Sequence, residues 1–174
     1  KSMNSRQKKA VKRLAKSKYG VLIIILLVAI YFVTQYFDIG VAEISPDANA
    51  EIHFIDVGQG DSTMIITDEG VILVDCGPTS CADELTDYIS AYTDKIDCLV
   101  FSHAHEDHMG AAGTVIDTFE IGEVLMTGYA SDAAFFDRAL DSIEKKDVAV
   151  TEAVAGKDYV VGDVTLEVLS PAKD

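Results

Sequence analysis

Three of the four histidines in the chain lie within one six-residue segment, 103–108, which reads His-Ala-His-Glu-Asp-His. In an extended stretch, residues two apart point the same way, so His103 and His105 can bind one metal ion. Asp107 and His108, further round the turn, can bind a second ion. Imidazole and carboxylate donors without thiolate favour zinc, and they also suit manganese or iron. The spacing therefore predicts a site for two divalent metal ions rather than a solvated charged loop.

Asp75 is a second candidate for chemistry, because it follows a strand-like apolar run and is followed two residues later by Gly77. A carboxylate at the end of a strand can accept a hydrogen bond from a ligand imidazole and so fix the tautomer of that ring. The alternative is a loop cap with no role in chemistry. We take Asp75 and Asp107 as the candidate catalytic residues.

The elements that must position these residues follow from the hydrophobic pattern. The strand predicted at Cys98–Ser102 leads into the histidine segment, so the candidate ligands lie on a loop at the carboxyl end of that strand. Further strands are predicted at Ile52–Val57, Thr63–Thr67, Val71–Asp75, Val124–Met126, Tyr159–Val161 and Val164–Leu169. Helices are predicted after the N-cap Ser80, around Val115–Phe119, and after the N-cap Ser131. In the last of these helices Leu140 is among the residues predicted to face inward. This alternation of strands and helices predicts an α/β fold.

The remaining histidine and the three cysteines are expected to be structural. His53 alternates along a predicted strand, and Cys76 and Cys98 lie in or at the ends of apolar strands, where cysteine is most simply a small buried residue. A disulfide between Cys76 and Cys81 stays open as an alternative in an oxidising exterior.

The histidine segment resembles the His-x-His-x-Asp-His signature of the metallo-β-lactamase superfamily. Upstream, residues 54–62 (Phe-Ile-Asp-Val-Gly-Gln-Gly-Asp-Ser) and 71–77 (Val-Ile-Leu-Val-Asp-Cys-Gly) fall where that superfamily places its first hairpin and its strand-end Asp-x-Gly. The Asp-Val-Gly-Gln-Gly-Asp run is similar to the branch that contains the carboxyl-terminal domain of the competence protein ComEC. The resemblance covers roughly residues 51–174.

This resemblance implies an αβ/βα sandwich with a dinuclear metal site between two sheets. It also implies hydrolysis of esters, often phosphodiesters, by a metal-bound hydroxide. The superfamily completes its site with ligands from its second half, typically a bridging Asp and a further His, whereas no histidine follows His108 in this chain. We therefore expect residues 51–174 to be a truncated first half of the fold. We also expect one sheet with an uncovered inner face, low stability and no activity in the 174-residue chain alone.

The first fifty residues predict a membrane anchor. Residues 19–37 carry no charge and are long enough, at about 1.5 Å per helical residue, to span a hydrocarbon core of about 30 Å. Eight of the fourteen Lys and Arg residues lie in residues 1–18, so the positive-inside rule predicts a cytoplasmic arm and an extracytoplasmic domain. A signal peptide cleaved at Ala48–Ala50 is the alternative. Residues 38–50, which include Pro46, are expected to be a linker.

The charge of the part beyond the predicted span restricts its partners. Six basic and all 29 acidic residues follow the span, which gives that part a net charge of −23. Such a surface disfavours bulk nucleic-acid binding, which relies on Lys and Arg to neutralise phosphates. The sequence thus predicts a membrane-anchored, extracytoplasmic metal-dependent hydrolase of phosphodiesters, either nucleic acid or a cell-wall polymer. The alternative is a non-catalytic, membrane-tethered accessory or binding module with an incomplete metal site.

Overall fold

A computed structural model describes residues 50–170, in which strands and helices alternate as the hydrophobic pattern predicts. The strands are β1 (Ala50–Phe54), β2 (Thr63–Thr67), β3 (Val71–Val74), β4 (Lys95–Phe101), β5 (Glu120–Met126), β6 (Ala149–Glu152), β7 (Asp158–Val161) and β8 (Val164–Glu167). The helices are α1 (Ala82–Ser90), α2 (Glu106–Met109), α3 (Ala112–Thr118) and α4 (Ala134–Lys146), with a 3-10 turn at Thr79–Cys81. The predicted α/β class is confirmed.

The strands β1 to β6 form one mixed sheet in sequence order. The first three strands pair antiparallel as hairpins, and β3, β4, β5 and β6 pair parallel through helical crossovers. Val74 lies opposite Val100, and Phe101 lies opposite Met126. Since parallel strands end at the same sheet edge, Asp75, the histidine segment and the loop after β5 all emerge together.

One face of this sheet is covered by helices. The apolar stripe of α1 buries Leu85 and Ile89 against strand residues such as Leu99, as the predicted helical spacing requires. Helix α4 contributes Phe135 and Phe136 to the same cluster. Side chains of this size stabilise a fold by about 1.5 to 3 kcal/mol each when they leave water, so this face fixes the strands that carry the site.

The expectation of an uncovered second face was wrong for the middle strands of the sheet. Strands β7 and β8 form a separate antiparallel hairpin, and Val161 of this hairpin packs with Ile72, Cys98 and Leu125 of the large sheet. The tight turn predicted between β7 and β8 is confirmed, with Gly162 at a φ of 56°. The apolar β7–β8 residues thus bury part of the face that the prediction left exposed.

Some element boundaries differ from the prediction. Ser80 does not cap α1, because the 3-10 turn from Thr79 already precedes that helix and places Cys81 at its N-cap. Ser131 accepts a hydrogen bond from the Ala133 amide, yet α4 begins after Ala133 without a side-chain cap. Leu140, predicted to face inward, is 40% exposed.

Two further differences concern strands. Strand β6 was not predicted, because most of its side chains are exposed and it pairs with β5 mainly through its backbone. Ala50, expected to end the linker, begins β1 instead.

The cysteines are all free and buried, so the Cys76–Cys81 disulfide alternative is wrong and the structural interpretation is confirmed. The predicted arm, anchor and linker, residues 1–49, lie outside the described range. Within residues 50–170 no helix has both the length and the apolar character needed to cross a bilayer.

Candidate metal centre

The histidine segment lies at the carboxyl end of β4, as predicted. The chain bends at Ser102 and Ala104, and α2 then begins at Glu106 with the extended residue His105 at its N-cap. The rings of His103 and His108 lie side by side, with centroids 4.0 Å apart, yet their donor nitrogens have different neighbours. His103 Nε2 faces His105, and His108 Nε2 lies near Asp107. The four predicted ligands therefore divide into two pairs.

The first pair is His103 and His105, which we call the open pair. His103 Nε2 and His105 Nδ1 face each other at 3.1 Å, with the rings near perpendicular. Two nitrogen donors on one tetrahedral ion, with bonds of about 2.0 to 2.1 Å, would be about 3.3 Å apart. His103 is half-buried and His105 is exposed. The two nitrogens thus face each other within hydrogen-bond distance, close to the separation at which they could share one ion.

The second pair is Asp107 and His108, which we call the anchored pair. His108 Nδ1 donates a hydrogen bond to Asp75 Oδ2 at 2.9 Å, so its Nε2 keeps a lone pair and faces outward. Asp107 Oδ2 lies 3.8 Å from His108 Nε2. That separation is too long for a hydrogen bond, yet it is shorter than two successive metal–ligand bonds of about 2.0 to 2.2 Å. The arrangement suits donors that share an ion.

Asp75 is buried at the centre of a hydrogen-bond network. It is 3% exposed, and its carboxylate accepts bonds from the Ser102 amide at 2.9 Å, from the Ser102 hydroxyl and from His108. Its backbone is left-handed, with a φ of 59°, a conformation that Asp tolerates better than most residues. Such a conformation persists where the surroundings determine it, and here the Asp75 amide bonds to the Val100 carbonyl. Asp75 therefore lies beneath the predicted ligands, where it was expected.

Ser102, which the sequence did not single out, connects Asp75 to the open pair. Its hydroxyl gives its proton to Asp75 and therefore accepts the bond of 3.0 Å from His103 Nδ1. His103 Nε2 is then left without a proton and faces His105. One buried carboxylate thus sets the tautomer of His108 directly and that of His103 through a hydroxyl.

Asp61 is a second residue that the sequence did not place at the site. Its carboxylate Oδ2 lies 3.8 Å from His108 Nε2, the same separation as that of Asp107. Asp61 follows Gly60, where a Cβ would lie 2.2 Å from the Asp107 carbonyl oxygen. The Gly-Gln-Gly-Asp run is the signal that could have found it, because glycine there permits a close approach of two loops.

Cys76 adjoins Asp75 but is not a donor to the site. Its amide bonds to the His108 carbonyl at 2.7 Å, whereas its side chain is fully buried. Burial raises the pKa of the Cys76 thiol well above its usual range, and the nearby charges of Asp75 and Cys81 raise it further. The thiol therefore stays protonated and serves packing.

The open pair borders a cleft of about 590 Å³. The cleft is lined by Ser102, His103, Ala104, His105, Thr127, Tyr129, Ala130 and Ser170. The two facing imidazoles of the open pair are therefore accessible from this cleft. Across residues 50–170, however, no group of three or more His, Cys, Asp or Glu side chains is already arranged to hold a metal ion. The donor chemistry fits divalent metals, and side-chain rotation is needed to complete either pair around an ion.

The sequence matches the family model of the metallo-β-lactamase superfamily over residues 55–170. The chain belongs to this superfamily, a family of metal-dependent hydrolases and related enzymes whose members bind two metal ions, zinc or iron. The family resemblance of the histidine segment is confirmed, and its assignment to the ComEC branch stays a prediction.

Solved structures of the fold include a metallo-β-lactamase with a HARLDQ motif from Cronobacter sakazakii, with 21% identity, a TM-score of 0.48 and coverage of 68% of this chain and 51% of that one. The rubredoxin oxygen:oxidoreductase of the anaerobe Desulfovibrio gigas has 21% identity, a TM-score of 0.48 and coverage of 70% and 33%. MEM-A1, a subclass B3 metallo-β-lactamase from a soil metagenome library, has 16% identity, a TM-score of 0.48 and coverage of 68% and 48%. The chain spans about half the length of most of these structures. No curated protein matches its sequence.

Proposed function

We propose that this protein is a metal-dependent hydrolase in which the open pair holds one divalent ion and the anchored pair holds a second. The observation that carries the proposal is the hydrogen bond between His108 Nδ1 and Asp75, which leaves Nε2 of that imidazole free beside the Asp107 carboxylate. A histidine that served only packing would not need this orientation. Zinc is the ion that the two imidazoles of the open pair suit best, with manganese or iron as alternatives.

The chain's own residues prepare the site for such ions. Asp75 keeps the proton of His108 on Nδ1, and Ser102 keeps that of His103 on Nδ1, so both Nε2 atoms can act as donors. When two ions are bound there, they would lower the pKa of a water molecule and stabilise the charge that develops on an ester oxygen. The hydroxyl groups of Thr127 and Tyr129 in the adjoining cleft can donate hydrogen bonds to oxygens of a bound ester.

The proposed substrate is a phosphodiester, as in nucleic acid or a cell-wall polymer. A phosphodiester carries one negative charge per linkage, and the part of the chain beyond residue 37 has a net charge of −23. Bound divalent ions would offset this repulsion at the site alone. This favours a substrate that meets the protein at one linkage over a long polyanion held along the surface.

We also propose that residues 19–37 anchor the protein in the cell membrane, with residues 1–18 in the cytoplasm and the hydrolase domain outside. The proposal rests on the charge difference across the uncharged segment. Protease added to intact cells should then remove the domain and leave the basic arm protected. Protection of the domain would reverse the orientation.

The activity is tested with protein expressed from the complete coding sequence, stripped of metal and assayed on bis(p-nitrophenyl) phosphate with added Zn²⁺ or Mn²⁺. We expect metal-dependent turnover that is lost in His108→Ala and kept in Asp56→Asn, a matched change at an exposed acid whose side chain only accepts a local turn bond from Gly58.

A non-catalytic binding module is the second candidate function. It is favoured by the four predicted ligands, which give each ion two protein donors where catalytic zinc commonly has three. Metal binding without turnover in the complete protein would support this candidate and contradict the hydrolase.

A further inference from the structure

The anchored pair has a neighbour that makes it chemically different from the open pair. His108 Nε2 is flanked by two carboxylate oxygens, Asp107 Oδ2 and Asp61 Oδ2, each 3.8 Å away. Neither oxygen is close enough for a hydrogen bond, so the imidazole nitrogen has no direct protein partner on that side. Its lone pair therefore faces a space bordered by two carboxylates.

The backbone holds Asp61 in this place. Its amide donates to the Asp107 carbonyl at 3.2 Å, and its carbonyl accepts from the Gly77 amide at 2.9 Å. Gly60, just before it, has no side chain where a Cβ would collide with the Asp107 carbonyl. The backbone of Asp61 is thus hydrogen-bonded both to helix α2, which carries Asp107, and to the loop that follows Asp75.

The side chain of Asp61, in contrast, is free to move. It is 76% exposed, against 13% for that of His108 and 40% for that of Asp107. A carboxylate on a fixed backbone can rotate toward a cation without moving any strand. This rotation is needed because no three donors among residues 50–170 already surround one position.

We propose that Asp61 is a third donor of the anchored pair, which makes that half of the centre a site of two carboxylates and one imidazole. Oxygen-rich sites favour harder divalent ions, so this half prefers Mn²⁺ or Fe²⁺ more strongly than the two-imidazole open pair does. The inference rests on the proposed function, since it assigns a further ligand to one of the two ions.

The test isolates the anchored pair in the full 174-residue chain. In a His103→Ala, His105→Ala background, titration of metal-free protein with Mn²⁺ should show one bound ion. Adding Asp61→Asn should lower the affinity for this Mn²⁺ ion by about tenfold or more, because an amide oxygen replaces a charged carboxylate oxygen. Adding Asp56→Asn instead should leave the affinity unchanged, and matching circular dichroism melts of all the metal-free variants would show that they fold alike.

The titrations distinguish a failure of Asp61 as a donor from a failure of the proposed metal centre. If Asp61→Asn binds Mn²⁺ as tightly as its Asp56→Asn counterpart, Asp61 is not a donor although the metal centre stands. If the chain with all its histidines binds neither Mn²⁺ nor Zn²⁺, the metal centre is wrong and the inference fails with it. A change in melting without metal in Asp61→Asn alone would assign the residue a structural role and also overturn the inference.

Discussion

The open pair and the anchored pair differ in how far the protein itself has organised them. His108 is largely buried, and its ring is held by the buried carboxylate of Asp75. His105 is exposed, and its one ring-nitrogen contact among the described residues is with His103. The comparison teaches that one half of the candidate centre is oriented by folding alone. The other half has converging donors whose final geometry depends on the ion between them.

Replacement of Asp75 by Asn is expected to have the largest effect, because it breaks the orientation of the anchored pair. The amide nitrogen of Asn can donate a proton to His108 Nδ1, which moves the ring proton to Nε2 and blocks that donor. We expect metal affinity to fall by about 10- to 100-fold and stability to fall by about 1.5 to 3 kcal/mol.

Nitrogen-15 NMR of histidine in the metal-free protein would report the tautomer directly. Wild type should show His108 protonated at Nδ1, and Asp75→Asn should show it protonated at Nε2. An unchanged tautomer would mean that Asp75 does not organise the anchored pair, and the contrast between the two pairs would disappear.

Gly60→Ala is expected to have an intermediate effect, because it pushes the Gly60 loop away from helix α2 at the anchored pair. The added Cβ would lie 2.2 Å from the Asp107 carbonyl oxygen, so the backbone must shift. Overpacking of this kind typically costs about 1 to 3 kcal/mol. Urea unfolding measures the loss, and metal titration should show weaker binding at the anchored pair.

Gly58→Ala is the matched control in the same loop. Gly58 has a φ of 76° and no atom within 4 Å of an added Cβ. A left-handed alanine costs about 1 to 2 kcal/mol from its backbone alone, and it should leave metal binding intact. Equal losses of metal affinity in both variants would show that the loop's conformation matters and its contact with Asp107 does not.

The sequence was sufficient to predict the site residues that lie close together along the chain. His103, His105, Asp107 and His108 share one segment, and the strand before it is continuous and apolar, so their grouping needs no tertiary information. Asp75 could be placed because the carboxyl ends of parallel strands share an edge of the sheet.

The residues that were missed depend on contacts between distant loops. Asp61 reaches the anchored pair because its loop packs on helix α2, which carries Asp107. The Gly-Gln-Gly-Asp run indicates a close backbone approach there but does not say which element approaches. The cover that β7 and β8 give to the second sheet face was missed for the same reason, since their apolar alternation does not specify which surface they bury. Strand β6 lacks even that alternation, since most of its side chains are exposed and its pairing with β5 is made by the backbone.

Ser102→Ala is expected to have the smallest effect, and it sharpens the comparison because it touches the open pair selectively. The change removes the hydroxyl between Asp75 and His103, while the Asp75–His108 bond and the Ser102 amide bond to Asp75 can remain. The two side-chain hydrogen bonds lost, one to Asp75 and one to His103, cost about 1 kcal/mol each. His103 is then free to adopt either tautomer, which should lower the affinity of the open pair for its ion by less than about tenfold.

Zn²⁺ titration of Ser102→Ala, with Ser102→Thr as the variant that keeps the hydroxyl, should show this loss of affinity only in the alanine protein. Equal weakening of both ions would mean that Ser102 supports the anchored pair as well, and that the two halves are organised as one unit.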